Sequence, residues 1–183
     1  PRRFGDFRIL RTLGEGGMGV VYEAEQDNPR RKVALKVIRS AHLTPEMLRR
    51  FDREAHVLGL LQHPGIAQIY HAGMADGDAG PEPYFAMELV QGRSLLWHAD
   101  NERLTLRQRL ELLARVCDAV QHAHQKGVVH RDLKPGNILV AAEIDASSST
   151  HASSLNASSS RLDDVARVGQ PKILDFGLAR LTE

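Results

Sequence analysis

The run Leu13-Gly14-Glu15-Gly16-Gly17-Met18-Gly19-Val20-Val21 spaces its glycines as G-x-G-x-x-G. Glycines let backbone amides approach phosphate oxygens closely, and they also mark ordinary hairpin turns. A dinucleotide fingerprint follows a strand and opens a helix, but the residues after this run, Val20 to Ala24, favour a strand. The G-K-[ST] ending of a P-loop is missing too. Two readings stand: a hairpin lying over a phosphate-bearing ligand, or a structural turn. A second candidate for meeting anions is Lys36, in Val33-Ala34-Leu35-Lys36. A lone lysine at an alternating strand position commonly faces water. Glu54 weighs against that, because it falls between Phe51 and Leu58 inside an apolar helical stripe, where an unpaired carboxylate is costly. Either Lys36 on the neighbouring strand is its partner, or Glu54 lies at the stripe's edge and reaches water. Two runs with an aspartate follow, His130-Arg131-Asp132-Leu133-Lys134-Pro135-Gly136-Asn137 and Asp175-Phe176-Gly177. Taken singly, Asp132 suits a turn-capping loop and Asp175 the start of an Asx-turn.

These residues need elements to hold them. Alternating apolar residues predict strands at 7–13, 20–24 and 32–38, with shorter ones at 66–70 and 84–90. One helix is predicted among them, with Thr44 as N-cap, Pro45 as its first residue, and Met47, Phe51, Leu58 and Leu61 on one stripe. The second half turns helical. A short helix starts at Ser94. Thr105 and Gln108 form a capping-box pattern, followed by Leu106, Leu110, Leu113, Cys117 and Val120 at helical spacing. Lys126 and Gly127 close that helix as a basic last turn and a C′ glycine. Most of the chain's serines lie between Ser147 and Ser160, with almost no large apolar residue among them. Such a stretch buries too little area to offset its ordering entropy, so a disordered insert is expected at about 143–169.

Composition bounds the function classes. The chain has 183 residues, 42% of them hydrophobic, and a formal net charge of +1. That excludes a strongly basic nucleic-acid binder and an acidic tail. One cysteine, Cys117, allows neither an internal disulfide framework nor a cysteine-built zinc site. No apolar run approaches the roughly 18 residues that span a bilayer, and no signal-peptide pattern opens the chain. The expectation is a reducing, cytoplasmic setting, in which the sequon Asn156-Ala157-Ser158 is discounted.

Taken together and in order, the glycine loop, V-A-L-K with Lys36, the helical Glu54, H-R-D-L-K-P-x-N and D-F-G resemble the protein kinase family. The runs at 14–24 and 118–137 look most like bacterial, eukaryotic-like serine/threonine kinases. The resemblance implies a bilobal α+β fold. Residues 1–90 would form a small antiparallel-sheet ATP-binding lobe, and 91–183 the first part of a helical lobe. It implies ATP, Mg²⁺ and a protein substrate with Ser or Thr; no nucleic acid is expected and no membrane within this chain, an anchor beyond residue 183 and the oligomeric state being left open. Asp132 would accept the substrate hydroxyl proton and Lys134 would steady the γ-phosphate. Lys36, oriented by Glu54, would contact the α and β phosphates. Asn137 and Asp175 would hold Mg²⁺, for which oxygen ligands suit a hard cation. Gly14, Gly16 and Gly19 would cover the phosphates with amides. Leu13, Val21, Ala34 and Leu139 match the adenine pocket's walls, Met87 its back, and Glu88 and Val90 the hinge. His130 takes a packing place, whereas His122 and His124 are expected to be ordinary surface or core residues.

Two departures shape what is expected. The stretch from Asp132 to Asp175 is far longer than the family's short hairpin, because of the serine-rich insert. Lengthening a loop several-fold costs only about 1–2 kcal/mol in closure entropy. The insert is therefore expected to protrude between two short strands and leave both magnesium ligands in place. The sequence also stops at Glu183, before an A-P-E motif, and begins with Pro1. It reads as a trimmed piece that by itself does not phosphorylate protein and exposes apolar surface. Arg131 implies a switch by activation-segment phosphorylation. The alternatives are a nucleotide-binding or non-catalytic interaction module and, more remotely, a small-molecule kinase such as an aminoglycoside phosphotransferase. Deleting residues 145–167 should leave nucleotide affinity unchanged in a titration; complete loss of binding would refute a protruding insert.

Overall fold

The computed structural model describes residues 2–17, 19–38, 49, 51, 55–77, 80–141 and 168–176. Six strands come first in a mostly local order: β1 (Arg3–Phe4), β2 (Phe7–Gly16), β3 (Gly19–Gln26), β4 (Arg31–Ile38), β5 (Ile69–Gly77) and β6 (Gly80–Glu88). They form one antiparallel sheet ordered β1-β2-β3-β4-β6-β5. Residues 55–59 are helical. Then come β7 (Gly92–Ser94), α1 (Leu95–Asn101), α2 (Leu106–Gln125), a 3₁₀ turn at Pro135–Asn137, β8 (Ile138–Ala141) and β9 (Gln170–Ile173). Strands β7, β8 and β9 make a second, three-stranded sheet. The result is the expected two-part α+β architecture.

Strand β4 shows why the first sheet forms. Val33, Leu35 and Val37 point to one face, into a cluster with Phe4, Phe7, Ala24 and Tyr84. Ala34 and Ile38 point to the other, into a larger cluster with Phe51, Phe85, Met87, Ile173 and Phe176. Successive side chains alternate faces, so Lys36 shares the face of Ala34 and Ile38. Both faces are covered, and Lys36 is only 7% exposed. The water-facing alternative for this lysine therefore fails.

The N-terminal helix is borne out where it is described. Phe51, Leu58 and Leu61 are buried, although Leu61 lies past the helical residues 55–59. Thr44, Pro45, Met47 and Glu54 lie outside the described residues. Strand β5 and its turn into β6 reach well beyond the short predicted run at 66–70. Ile66 contributes only an isolated parallel bridge to Ile173.

In α2 the capping box forms as read. The Gln108 amide donates to Thr105 Oγ1, and the Thr105 amide donates to Gln108 Oε1 at 2.9 Å. Gly127 takes φ 73° beyond the C-cap Lys126. The inward face is not the one the leucine spacing pointed to. Leu106 is 74% exposed, and Leu110, Leu113 and Cys117 are exposed too. The buried residues are Leu112, Val116, Ala119 and Ala123. Close packing chose the alanine side: a Cβ on Gly65 would lie 2.8 Å from Ala119 Cβ, so the loop after residue 61 approaches α2 where side chains are small. Val120 alone of the leucine-side set packs partly against the core.

The insert also ends earlier than expected. Val168 is 1% exposed and packs with Ala99, Leu104, Leu112 and Val140. Gly169 takes φ 74° before β9. The serines lie outside the described residues, but the strands flanking the insert pair as expected, Ala141 opposite Gln170. Among the described residues, no helix is long and apolar enough to cross a membrane.

The α2 assignment separates two leucines of one helix. Leu112→Ala should lower the unfolding free energy by about 2–5 kcal/mol in urea denaturation. Leu110→Ala should change it by less than about 0.5 kcal/mol. Equal losses would show that both faces are packed.

Candidate active site

The glycine run is the turn of the β2–β3 hairpin, with Gly16 opposite Gly19 and Gly14 opposite Val21. Its glycines meet different constraints. Gly19 has φ 149°, and a Cβ there would sit 2.0 Å from the Val37 carbonyl oxygen, so packing against β4 alone demands glycine. Gly14 and Gly16 have nothing within 4 Å of the position a Cβ would take. Protein packing does not demand glycine at those two, which border open space.

Beneath the hairpin lies a cleft of about 1520 Å³ between the two sheets. Leu13, Val21 and Ala34 line its roof, Met87 its back and Leu139 its floor. Gly14, Gly16, Gly19, Lys36, Glu88, Val90, Asp132, Lys134, Asn137 and Asp175 line it too. Every candidate residue within the described part of the chain thus faces one cavity. Glu54 lies outside the described residues. Residues 89–91 cross from β6 to β7, and among the described residues their backbone groups make no backbone hydrogen bond. A heteroaromatic edge can therefore pair with them.

At the opposite end of the cleft the polar groups are tied together. Lys36 Nζ donates to Asp175 Oδ2 at 2.8 Å. Asp175 stands at φ 57°, a left-handed conformation that aspartate tolerates better than most residues. Its approach is fixed from both sides: the Leu174 amide donates to the Asn137 carbonyl at 2.8 Å, and His130 Nε2 lies 2.8 Å from the Leu174 carbonyl. His130 is 3% exposed, packs edge-on against Phe176, and accepts the Asp132 amide on Nδ1. With Nδ1 accepting, Nε2 carries the proton that Leu174 receives. His130 is thus a structural tie, as expected. Arg131 has φ 66°, which turns the chain so that Asp132 enters the cleft.

The Asp132 carboxylate accepts Lys134 Nζ at 2.8 Å and Asn137 Nδ2 at 3.2 Å. The hydrogen bond from Lys134 is the main cause that holds the Asp132 carboxyl below the usual carboxylate range; burial opposes it, and the Asn137 amide adds to the lowering. The carboxyl is an ionised acceptor at neutral pH. Asn137 Nδ2 also donates to the Asp132 carbonyl at 2.8 Å. Its amide nitrogen is committed, so its oxygen remains available as a ligand. Asp175 likewise has one oxygen on Lys36 and one left over. Among the described residues no three His, Cys, Asp or Glu side chains cluster as a metal site. One carboxylate oxygen and one amide oxygen fit a hard divalent ion that draws its other ligands from phosphate and water.

Two contacts here were not legible beforehand. Asp175 is the described partner of Lys36, and the pairing spans most of the chain. Lys172 Nζ lies 2.8 Å from the Glu88 carboxylate, beside the residues expected to meet adenine; only the folded sheets bring them together.

Comparison with known proteins agrees with this geometry. Residues 7–183 match the family model described as the protein kinase domain. The chain is 36% identical over 182 residues to the serine/threonine-protein kinase PknA of Mycobacterium tuberculosis, covering 98% of this chain and 36% of that protein. It is 41% identical over 183 residues to PknB of Mycobacterium leprae, covering 98% of this chain and 25% of that protein. It is 38% identical over 187 residues to Pkn1 of Myxococcus xanthus, covering 99% and 22%. The crystal structure of the Mycobacterium tuberculosis PknI kinase domain superposes with a TM-score of 0.66 at 28% identity, covering 96% of this chain and 61% of that one. The chain thus spans about a third or less of these curated relatives. With the motifs in order, the cleft in place and the match running almost end to end, the chain belongs to the protein kinase domain family, on its bacterial serine/threonine side.

Proposed function

We propose that the protein transfers the γ-phosphate of ATP to serine or threonine hydroxyls of protein substrates, with Mg²⁺ as its divalent ion. The observation that most supports this is one cleft shared by an apolar slot, an unpaired hinge backbone, an open glycine hairpin and the Lys36–Asp175 and Asp132–Lys134 pairs. Phosphoryl transfer asks mainly for positioning and charge neutralisation, and the cleft is arranged for both.

Adenine would lie between Leu13, Val21 and Ala34 above and Leu139 below, with Met87 at its back and the backbone of Glu88 and Val90 along its edge. Lys36 would meet the α and β phosphates, with Glu54 orienting it. The amides of Gly14, Gly16 and Gly19 would close over the chain of phosphates. Asn137 and Asp175 would hold the Mg²⁺ ion, which when bound offsets charge on the phosphate oxygens. Asp132 orients the attacking hydroxyl and receives its proton as the new oxygen–phosphorus bond forms and ADP departs. Lys134 steadies the transferred group. Because ATP is the donor, the domain works in the cytoplasm.

In the full-length protein, Asp132→Asn should lower kcat about 10³-fold and keep MgATP affinity within about threefold. Equal phosphate transfer by both forms would rule out the role given to Asp132. Lys134 lowers the Asp132 pKa, so its removal must raise it. Lys134→Met should therefore move the acid limb of the kcat/KM profile to higher pH. An acid limb that stays in place would separate Lys134 from the ionisation of Asp132.

A further inference from the structure

Residues 89–91 carry the backbone that would pair with adenine, yet among the described residues they make no backbone hydrogen bond of their own. Their position must come from their two ends. At the far end Gly92 is pressed onto β8: a Cβ there would lie 2.5 Å from the Val140 carbonyl oxygen. At the near end the Glu88 amide donates to the Gln68 carbonyl at 2.8 Å. The Glu88 carboxylate reaches the other sheet, where Lys172 Nζ lies 2.8 Å away. The two side chains are 25% and 19% exposed, so water screens the pair only in part. Lys172 stands opposite Leu139, the cleft's floor residue, in the β8–β9 ladder. One ion pair therefore joins the end of β6, where the hinge begins, to the strand beside the floor of the apolar slot.

We infer that the Glu88–Lys172 ion pair is a strap setting the height of the hinge backbone above Leu139, which makes Lys172 a positioning residue for the adenine end of the nucleotide. The inference rests on the nucleotide reading proposed above. The second cross-sheet pair, Lys36–Asp175, sits at the phosphate end, so the two fastenings act on different parts of the ligand. Loss of Lys172 shifts the groups that meet the base and leaves those that meet the phosphates. A small displacement there is expensive, because hydrogen-bonding groups are steeply sensitive to position.

The test uses the full-length protein and three probes: ATP, adenosine and inorganic tripolyphosphate with Mg²⁺. Lys172→Met should weaken ATP and adenosine binding by the same factor, about tenfold, while tripolyphosphate inhibition changes less than about twofold. The defect should appear in KM for ATP rather than in kcat. Glu88→Lys combined with Lys172→Glu should bind adenosine better than either reversal alone. If Lys172→Met does not fold, Glu88→Gln is measured the same way, with the same split expected. Adenosine binding equal to wild type overturns the strap. So does a loss shared equally by tripolyphosphate, which would mean general loosening, or a reversed pair no better than its single reversals. A wild-type protein that binds neither adenosine nor ATP would instead overturn the nucleotide reading, and the strap with it.

Discussion

The site depends on how the backbone of Ile173 is held. Its amide donates to the Gly65 carbonyl at 2.8 Å and its carbonyl accepts the Ala67 amide at 2.9 Å. A strand of the second sheet is thereby fastened to the loop that leads into β5 of the first. Ile173 is 1% exposed, so these groups would be costly to leave unpaired. The following residue is fixed as firmly, with its amide on Asn137 and its carbonyl on His130. Asp175 thus emerges from a segment anchored to both lobes, and its left-handed turn is held by what precedes it and by Phe176 in the core.

Lys36 follows from the same constraint. A lysine within a strand covered on both faces is largely withdrawn from bulk water, and a buried ammonium needs a partner. The fastening of Ile173 delivers Asp175 to that place. Removing either charge leaves the other part-buried and uncompensated. The sheet lobe and the segment carrying Asp175 are therefore held in register by packing, by main-chain bonds and by charge.

The residues proposed as catalytic could be singled out in the sequence because the chemistry proposed for them fixes residue type and spacing together. Asp132, Lys134 and Asn137 lie on one short turn, so local sequence carries their geometry. Partners across the fold were not legible in that way. Lys36 with Asp175 and Glu88 with Lys172 depend on how two sheets meet, which no local pattern encodes. The face of α2 was misread for a related reason. Apolar periodicity marks where leucines lie, and α2 has a second apolar face built from Leu112, Val116, Ala119 and Ala123. Close approach of the loop at Gly65 favours small side chains over greasy ones. The glycine motif, too, is a composite that spacing cannot divide: Gly19 answers to Val37, whereas no protein atom crowds Gly14 or Gly16.

Charge balance within the cleft accounts for the need of a divalent ion. Asp132 is engaged by Lys134, Asp175 by Lys36 and Glu88 by Lys172, while Glu23 near the mouth is engaged by Arg11 and Lys32. The cations near the site are thus largely balanced by its own carboxylates. A triphosphate brings several further negative charges into a space walled partly by apolar side chains, where Coulomb repulsion is less screened than in water. Drawing Lys36 wholly to the phosphates would leave Asp175 facing them as a bare anion. A divalent cation held by Asp175 and Asn137, as proposed, would resolve both problems at once, because it would neutralise the carboxylate that the lysine gives up and the phosphate charge that the lysine alone cannot meet.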